Sequence, residues 1–108
     1  MKESVIAQVT IIPTGTANPS LSRYVAACFA TLKQAKDIKY ELTAMGTLIQ
    51  GPLERVLELV QKMHEVPFTQ GAQRVITVIS IDDRRDKAIT IESKVQAVHQ
   101  LVGKTNSG

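Results

Sequence analysis

The chain has 108 residues, of which 44% are hydrophobic and 21% are charged, and its net charge is +3. This length suits one domain over residues 1–108, and so mild a charge, spread along the chain, gives little support to nucleic-acid binding through phosphate contacts. No apolar run approaches the roughly 18 residues that span a bilayer, and the first residues lack the apolar core of a signal peptide. We therefore expect a cytoplasmic protein with no membrane or nucleic-acid partner.

The first half of the chain predicts one strand and one helix. Residues 4–12 alternate in a strand pattern that Pro13 should end, with apolar side chains on both faces. A helix should then begin at Asn18 or Ser20, either of which can cap it, and run to about Lys36. Its apolar stripe consists of Leu21, Val25, Cys28, Phe29 and Leu32.

The middle of the chain predicts a hairpin and a second helix. Residues 38–45 alternate as a strand, and "TLIQ" continues as a second strand after Gly46. Pro52 suits the first turn of a helix, which Pro67 and Gly71 should break.

The last third predicts a strand over 74–82, a charged loop, a helix capped by Thr90 and a loose tail over 103–108. The order βαββαβ plus one helix fits an α+β, ferredoxin-like domain, with an antiparallel sheet that carries two helices on one face. Because the first and last strands are apolar on both faces, we expect a second subunit and the last helix to cover the other face, in a homodimer or homotetramer.

Cys28 is the only cysteine, so the chain forms no internal disulfide. Its neighbours in "YVAACFATL" predict a buried, reduced thiol. His64 begins "HEVPF", which lacks the second histidine of a zinc-binding H-E-x-x-H motif, and His99 is isolated. Phosphate-binding loops and nucleophile elbows are also missing, and the central strands carry no aromatic residue on which RNA bases could stack. These patterns predict neither a catalytic nor a metal site.

The charged stretch "IDDRRDK" at residues 81–87 follows the last strand and has two interpretations. It is either an ion-paired turn, which could also lock two subunits together, or a site for a phosphorylated substrate. We assign an interface or strand-exit role to a set of six residues: Arg74, Asp83, Arg84, Arg85, Asp86 and Lys87.

Two small polar segments are candidates for a binding site. Ser20, Ser22 and Tyr24 lie at the start of the first helix, and Thr47 and Gln50 lie in the glycine-framed stretch "GTLIQG". Such a set suits an uncharged heteroaromatic ring better than a phosphate. The alternative is that the serines only cap the helix and the glycines only make turns.

Several stretches together resemble a known family, the small thiamine-binding, YkoF-like proteins with ferredoxin-like domains. They include "SLSRYVA", "YELTAMGTLIQGP", "VLELVQKMHE" and "RVITVISIDDRRDK", in the order found in that family, and the resemblance covers about residues 5–102.

The resemblance implies an oligomeric, non-catalytic protein that binds thiamine or its hydroxymethylpyrimidine half between sheet and helices, with no cofactor besides this ligand. Thr47 and Gln50 would then contact the polar edge of the ring, with Thr16, Ser22 and Tyr24 on the other wall. The family usually has Glu where this chain has Gln50. A structural or regulatory homo-oligomer without a small ligand is the alternative, and an enzyme acting on a phosphorylated substrate near Arg84 comes third.

Overall fold

The computed structural model describes residues 4–15 and 22–106, and the side chains of residues 4–15 and 22–103. The elements in chain order are β1 Ser4–Thr14, α1 Ser22–Lys33, β2 Lys39–Thr43, β3 Gly46–Pro52, α2 Leu53–Thr69, β4 Arg74–Asp82 and α3 Ile91–Asn106. The four strands form one antiparallel sheet in the order β2-β3-β1-β4. The predicted α+β, ferredoxin-like arrangement is confirmed.

The two faces of the sheet have different environments. One face, here called the helix face, carries Val5, Ala7, Val9 and Ile49, which are almost completely buried. They pack against side chains of α1 and α2, among them Leu32, Leu59 and Met63. The opposite face, here called the open face, carries Ile6, Gln8, Thr10 and Ile12 of β1, and the first turns of α3 lie over one end of it.

Pro13 does not end β1, contrary to the prediction. The strand continues to Thr14 because Pro13 still pairs with Val75 of β4, whereas the pairing with β3 stops at Val9. Where a strand has a neighbouring strand on one side only, a proline whose missing N–H would point to the unpaired side removes no hydrogen bond from the sheet.

Pro67 does not break α2 either, since the helix continues to Thr69. A residue at position 67 would normally donate its N–H to the carbonyl of Met63, and proline has no N–H to donate. The thiol of Cys28 donates to this carbonyl instead, with Sγ 3.4 Å from the oxygen. Cys28 is 5% exposed, which confirms its predicted burial.

The last helix begins directly after its predicted cap, Thr90, and ends later than expected. The Thr90 hydroxyl accepts from the Ser93 N–H, and the Ser93 hydroxyl accepts from the Thr90 N–H, both at 2.9 Å, as in a reciprocal N-terminal cap. The helix then runs to Asn106, so part of the tail predicted to be loose from residue 103 is helical. At the other end of the chain, α1 stops at Lys33 rather than Lys36, and the predicted caps Asn18 and Ser20 lie outside the described residues.

Candidate functional site

Thr47 lies in a cavity between the helix face and the two helices that cover it. The cavity has a volume of about 230 Å³ and is here called the helix-face cavity. Thr47 is opposite Val9 in the sheet and is 6% exposed. The walls come from β1, the β2–β3 hairpin, α1 and α2, and include Val9, Ile11, Val25, Cys28, Leu42, Thr43, Met45 and Met63.

The hairpin beside this cavity is held by hydroxyl groups. The Thr10 hydroxyl donates to the Met45 carbonyl at 3.1 Å, and the Thr43 hydroxyl donates to the Gly46 carbonyl at 2.8 Å. Thr47, by contrast, makes no hydrogen bond through its hydroxyl to the part of the chain that the structure describes. Thr10 and Thr43 also line the cavity, but their hydroxyl protons are already used, so among these three hydroxyls Thr47 is the one that can act towards a ligand both as donor and as acceptor.

The two glycines that frame β3 are explained by close packing. A Cβ added to Gly46 would lie 2.8 Å from the Val9 carbonyl oxygen, which is part of the sheet backbone and cannot move away. A Cβ added to Gly51 would lie 2.7 Å from Cγ2 of Ile38. Glycine at these positions lets β3 approach its neighbours, whether or not a ligand binds.

Gln50 does not share the helix-face cavity with Thr47. Side chains alternate along a strand, so residues three apart point to opposite faces of a sheet. Gln50 pairs with Ile6 and lies on the open face, where its Oε1 accepts a hydrogen bond from the Ile91 N–H at 2.9 Å. The expectation that Thr47 and Gln50 contact one ring is therefore wrong, and Gln50 instead helps to cap α3.

The remaining predicted ligand contacts are dispersed. Ser22 is exposed, and Tyr24 is buried on α1 with the guanidinium of Arg23 5.7 Å from its ring centre. Thr16 and Ser20 lie outside the described residues. Sequence reasoning missed Val25, Cys28 and Met63 as cavity residues. Their helical spacing indicates an apolar face, on which Val25 is still 40% exposed, and only the packing of α1 against α2 places them beside Thr47.

A second cavity, of about 380 Å³, lies on the open face under the beginning of α3 and is here called the open-face cavity. Ile6 and Leu48 form its floor, and Ile91 and Val95 of α3 line the opposite side. At its rim, Lys94 forms an ion pair with Asp82, the last residue of β4. This cavity is predominantly apolar, with Gln8 and Ser80 as its other polar residues.

The charged loop after β4 pairs within itself. Arg84 contacts Asp86 at 2.5 Å, and Arg85 contacts Asp83 at 2.8 Å, in two ion pairs between residues two apart. The Arg84 guanidinium, hydrogen-bonded to the carboxylate, lowers the pKa of Asp86 from 3.8 to about 2, and Lys87 contributes to the same effect.

Arg74, predicted to belong with that loop, lies at the opposite end of β4. It opens the strand and pairs with Thr14. Eight steps of about 3.4 Å separate it from Asp82, so it lies about 27 Å from the loop. The six residues therefore do not form one cluster.

Within residues 4–15 and 22–103, no group of three or more histidine, cysteine or acidic side chains is arranged to hold a metal ion. His64 hydrogen-bonds to the Thr77 hydroxyl at 2.7 Å and contacts the Phe68 ring edge-on. Among the helices of the described region, none is long and apolar enough to cross a membrane.

Comparisons with known proteins agree with the resemblance seen in the sequence. A family model described as thiamine-binding protein matches residues 7–99. The chain is 52% identical over 98 residues to the UPF0045 protein YqgV of Bacillus subtilis, covering 88% of this chain and 94% of that one.

Solved structures show the same fold. The crystal structure of the hypothetical protein MJ1052 from Methanocaldococcus jannaschii matches with a TM-score of 0.81 at 36% identity, over 90% of this chain and 97% of that one. A Thermotoga maritima protein with a provisional thiamine biosynthesis/salvage name matches with a TM-score of 0.72, over 88% of this chain and 98% of that one. Its identity is 22%, so this likeness concerns the fold alone.

Proposed function

The chain belongs to the thiamine-binding protein family, and we propose that it binds the pyrimidine half of thiamine, without transforming it, in the helix-face cavity. The observation that carries this proposal is the Thr47 hydroxyl, which lines a largely apolar cavity on a residue that is 6% exposed and has no hydrogen-bond partner among the described residues. A polar group in such a place costs free energy unless a ligand or a water satisfies it.

The size of the cavity favours a single ring. Sites for drug-sized ligands have volumes of about 300–1,000 Å³, and the helix-face cavity has about 230 Å³. The side chains of Val9, Val25 and Met63 offer apolar walls for the flat faces of a ring. A hydroxyl both donates and accepts, so Thr47 can pair with a ring nitrogen or with an exocyclic amino group. The pyrimidine alone fits these features better than the two linked rings of thiamine.

We further propose that the protein acts as a homo-oligomer in the cytoplasm. Ile12, Ile76 and Val78 share the open face and are each more than one-third exposed, and contiguous apolar patches on monomers are usually small. A single unpaired cysteine also suits a reducing compartment. We propose no cofactor for this role besides the ligand itself.

The test is thermal unfolding with and without hydroxymethylpyrimidine and thiamine. A ligand present at a hundredfold excess over its dissociation constant stabilises a fold by about 2.7 kcal/mol. For a domain of this size we expect a rise in melting temperature on the order of 10 °C. The pyrimidine should produce this rise at a lower concentration than thiamine does.

Thr47→Val supplies the decisive variant, because it keeps the shape of the side chain and removes the hydroxyl. Loss of one neutral hydrogen bond, about 0.5–1.5 kcal/mol, should weaken binding about twofold to tenfold. Thr31→Val is the matched control, since the Thr31 hydroxyl bonds within α1 to the Ala27 carbonyl and does not line the cavity. Equal binding by the two variants would contradict the assigned site.

A structural homo-oligomer without a small ligand is the second candidate. It is favoured by the glycines of β3, whose presence close packing alone explains. If millimolar hydroxymethylpyrimidine and thiamine both leave the melting temperature unchanged, this second candidate replaces the first.

A further inference from the structure

The strand β1 has a free main-chain edge where it extends beyond the β2–β3 hairpin. Its pairing with β3 ends at Val9, opposite Thr47, because β3 begins at Gly46. Its pairing with β4, on the other side, continues to Thr14. From Ile11 onwards, the side of β1 that would face β3 therefore has no strand of the described sheet beside it.

The N–H and the carbonyl of Ile11 point to this unpaired side. The Val9 carbonyl oxygen points towards β3, since it lies 2.8 Å from where a Cβ on Gly46 would be. Main-chain groups along a strand point to the same side at every second residue, so those of Ile11 follow those of Val9. Pro13, the next residue in this series, has no N–H. On that side, neither group of Ile11 forms a hydrogen bond with the part of the chain that the structure describes.

This free edge lies in the wall of the helix-face cavity. Ile11 is half-buried, packs against the core and lines the cavity together with Thr47. Paired residues that exchange both hydrogen bonds, as Val9 and Thr47 do, have Cα atoms about 5.5 Å apart. Ile11 lies two residues, or about 6.8 Å, beyond Val9. The Cα atoms of Ile11 and Thr47 are therefore about 9 Å apart, a gap that one ring with a hydrogen bond at each side can span.

We propose that the main chain of Ile11 binds the pyrimidine at the place where a longer β3 would continue. The Ile11 N–H donates to a ring nitrogen, and the Ile11 carbonyl accepts from the amino group on the neighbouring ring carbon. Thr47 then pairs with the second ring nitrogen. The inference rests on the proposed function and deepens it, because it names the class of ligand: a neutral aromatic ring with an acceptor nitrogen beside an exocyclic amino group.

Recognition by the main chain suits this position. The pairing of β1 with β4 fixes the direction of the Ile11 groups before any ligand binds, so recognition requires no ordering of a flexible side chain. The ligand also satisfies a half-buried donor and a half-buried acceptor, whose lack of a partner otherwise costs free energy.

The first measurement is amide–water exchange by NMR, with and without saturating hydroxymethylpyrimidine. Exchange of the Ile11 amide should slow about tenfold or more on binding, because its N–H gains an acceptor. The matched control is Ile79, which lies opposite Val9 on β4 and whose N–H points to the outer edge of the sheet. Its exchange should not change. With pyrimidine labelled with nitrogen-15, a scalar coupling between a ring nitrogen and the Ile11 nitrogen should also appear.

The second measurement uses a pyrimidine in which hydrogen replaces the amino group. This analogue leaves the Ile11 carbonyl without a donor, so it should bind the wild-type chain about tenfold or more weakly than hydroxymethylpyrimidine does. The same factor should separate the two ligands in Thr47→Val, because Thr47 contacts another atom of the ring. A factor that disappears in Thr47→Val would show that Thr47 reads the amino group, and would overturn the contact with the Ile11 carbonyl.

The third measurement removes the Ile11 N–H itself. Because Cys28 is the only cysteine, a synthetic peptide of residues 1–27 can be ligated to residues 28–108 without changing any other residue. An ester in place of the amide at Ile11 should weaken pyrimidine binding about tenfold. It should destabilise the fold less than the same replacement at Val9, whose N–H belongs to the sheet. Wild-type affinity in the Ile11 ester chain would overturn the inference.

The failure of this inference differs from the failure of the proposed function. Pyrimidine that binds and raises the melting temperature, but leaves Ile11 exchange unchanged and shows no coupling to Ile11, overturns the main-chain contact alone. A melting temperature that millimolar pyrimidine and thiamine both leave unchanged overturns the proposed function and this inference together.

Discussion

Replacing Gln50 with glutamate is expected to strengthen the attachment of α3 to the sheet. Gln50 Oε1 lies 2.9 Å from the Ile91 nitrogen, at the positive end of the α3 dipole. A carboxylate near a helix N-terminus contributes about 0.3–1 kcal/mol. Lys39 is directly opposite position 50 on β2, and an opposite-charge cross-strand pair adds about 0.2–1 kcal/mol. Because Lys39 already pairs with Glu92, we expect a total gain of about 1 kcal/mol.

The comparison variant is Gln50→Leu, which keeps a side chain of similar length and removes the acceptor. Loss of a helix cap costs about 0.5–2 kcal/mol. The assay is urea unfolding at pH 7, combined with hydrogen exchange of the Ile91 amide, because α3 could detach before the sheet unfolds. Exchange at Ile91 should be slower in the glutamate variant and faster in the leucine variant than in the wild type.

The pH dependence of the Gln50→Glu variant provides an internal control. The Ile91 N–H and Lys39 favour the ionised form of the introduced carboxyl, so its pKa in the folded variant should lie below the ordinary glutamate value of about 4.3. The added stability is then fully present above about pH 4.3 and is lost as the pH falls through the lower, folded pKa. If both variants match the wild type in unfolding free energy and in Ile91 exchange at pH 7, the assigned cap is wrong.

Three further changes test the local geometry. Gly46→Ala should destabilise the fold by about 1–3 kcal/mol in urea unfolding, because its Cβ would meet the Val9 carbonyl oxygen at 2.8 Å; an unchanged midpoint would contradict this approach. Cys28→Ala should cost about 1–3 kcal/mol in the same assay, since it leaves the Met63 carbonyl without its donor, and a cost below about 0.5 kcal/mol would argue against that bond. The Asp86 carboxyl should titrate near pH 2 by NMR and shift towards 3.8 in Arg84→Gln, whereas an ordinary pKa in the wild type would show that the Arg84–Asp86 pair does not persist in solution.

Local patterns were sufficient for the order of elements and for the bounds of β4. Five β-branched aliphatic residues lie in its nine positions, and the periodicity is unambiguous. Thr90 was also recognisable, because an N-cap depends on residues within one turn of it.

The two proline predictions failed for a reason outside local sequence. The cost of a proline depends on whether another group needs its missing N–H. Pro13 lies where β1 has only β4 beside it, and Pro67 lies where Cys28 supplies a donor from another helix. Neither circumstance can be seen without the tertiary contacts.

Sequence reasoning selected one residue that lines the helix-face cavity and missed several others. Thr47 was selected from its glycine-framed strand, and the structure places it in a cavity. The alternation of side chains along β3 already separates Thr47 from Gln50, so that error was avoidable from the sequence. The contribution of Val25 and Met63 was not predictable, because it depends on how α1 and α2 pack over the sheet.

The Cys28 thiol, which supports the last turn of α2, should react only slowly with labelling reagents in the wild-type chain. Burial raises the pKa of Cys28, so little thiolate forms at neutral pH, and its hydrogen is already committed to the Met63 carbonyl. A maleimide dye or spin label should therefore react with a cysteine introduced on the surface long before it reaches the native one. Distances within and between chains can then be measured without removing a residue on which the packing of two helices depends.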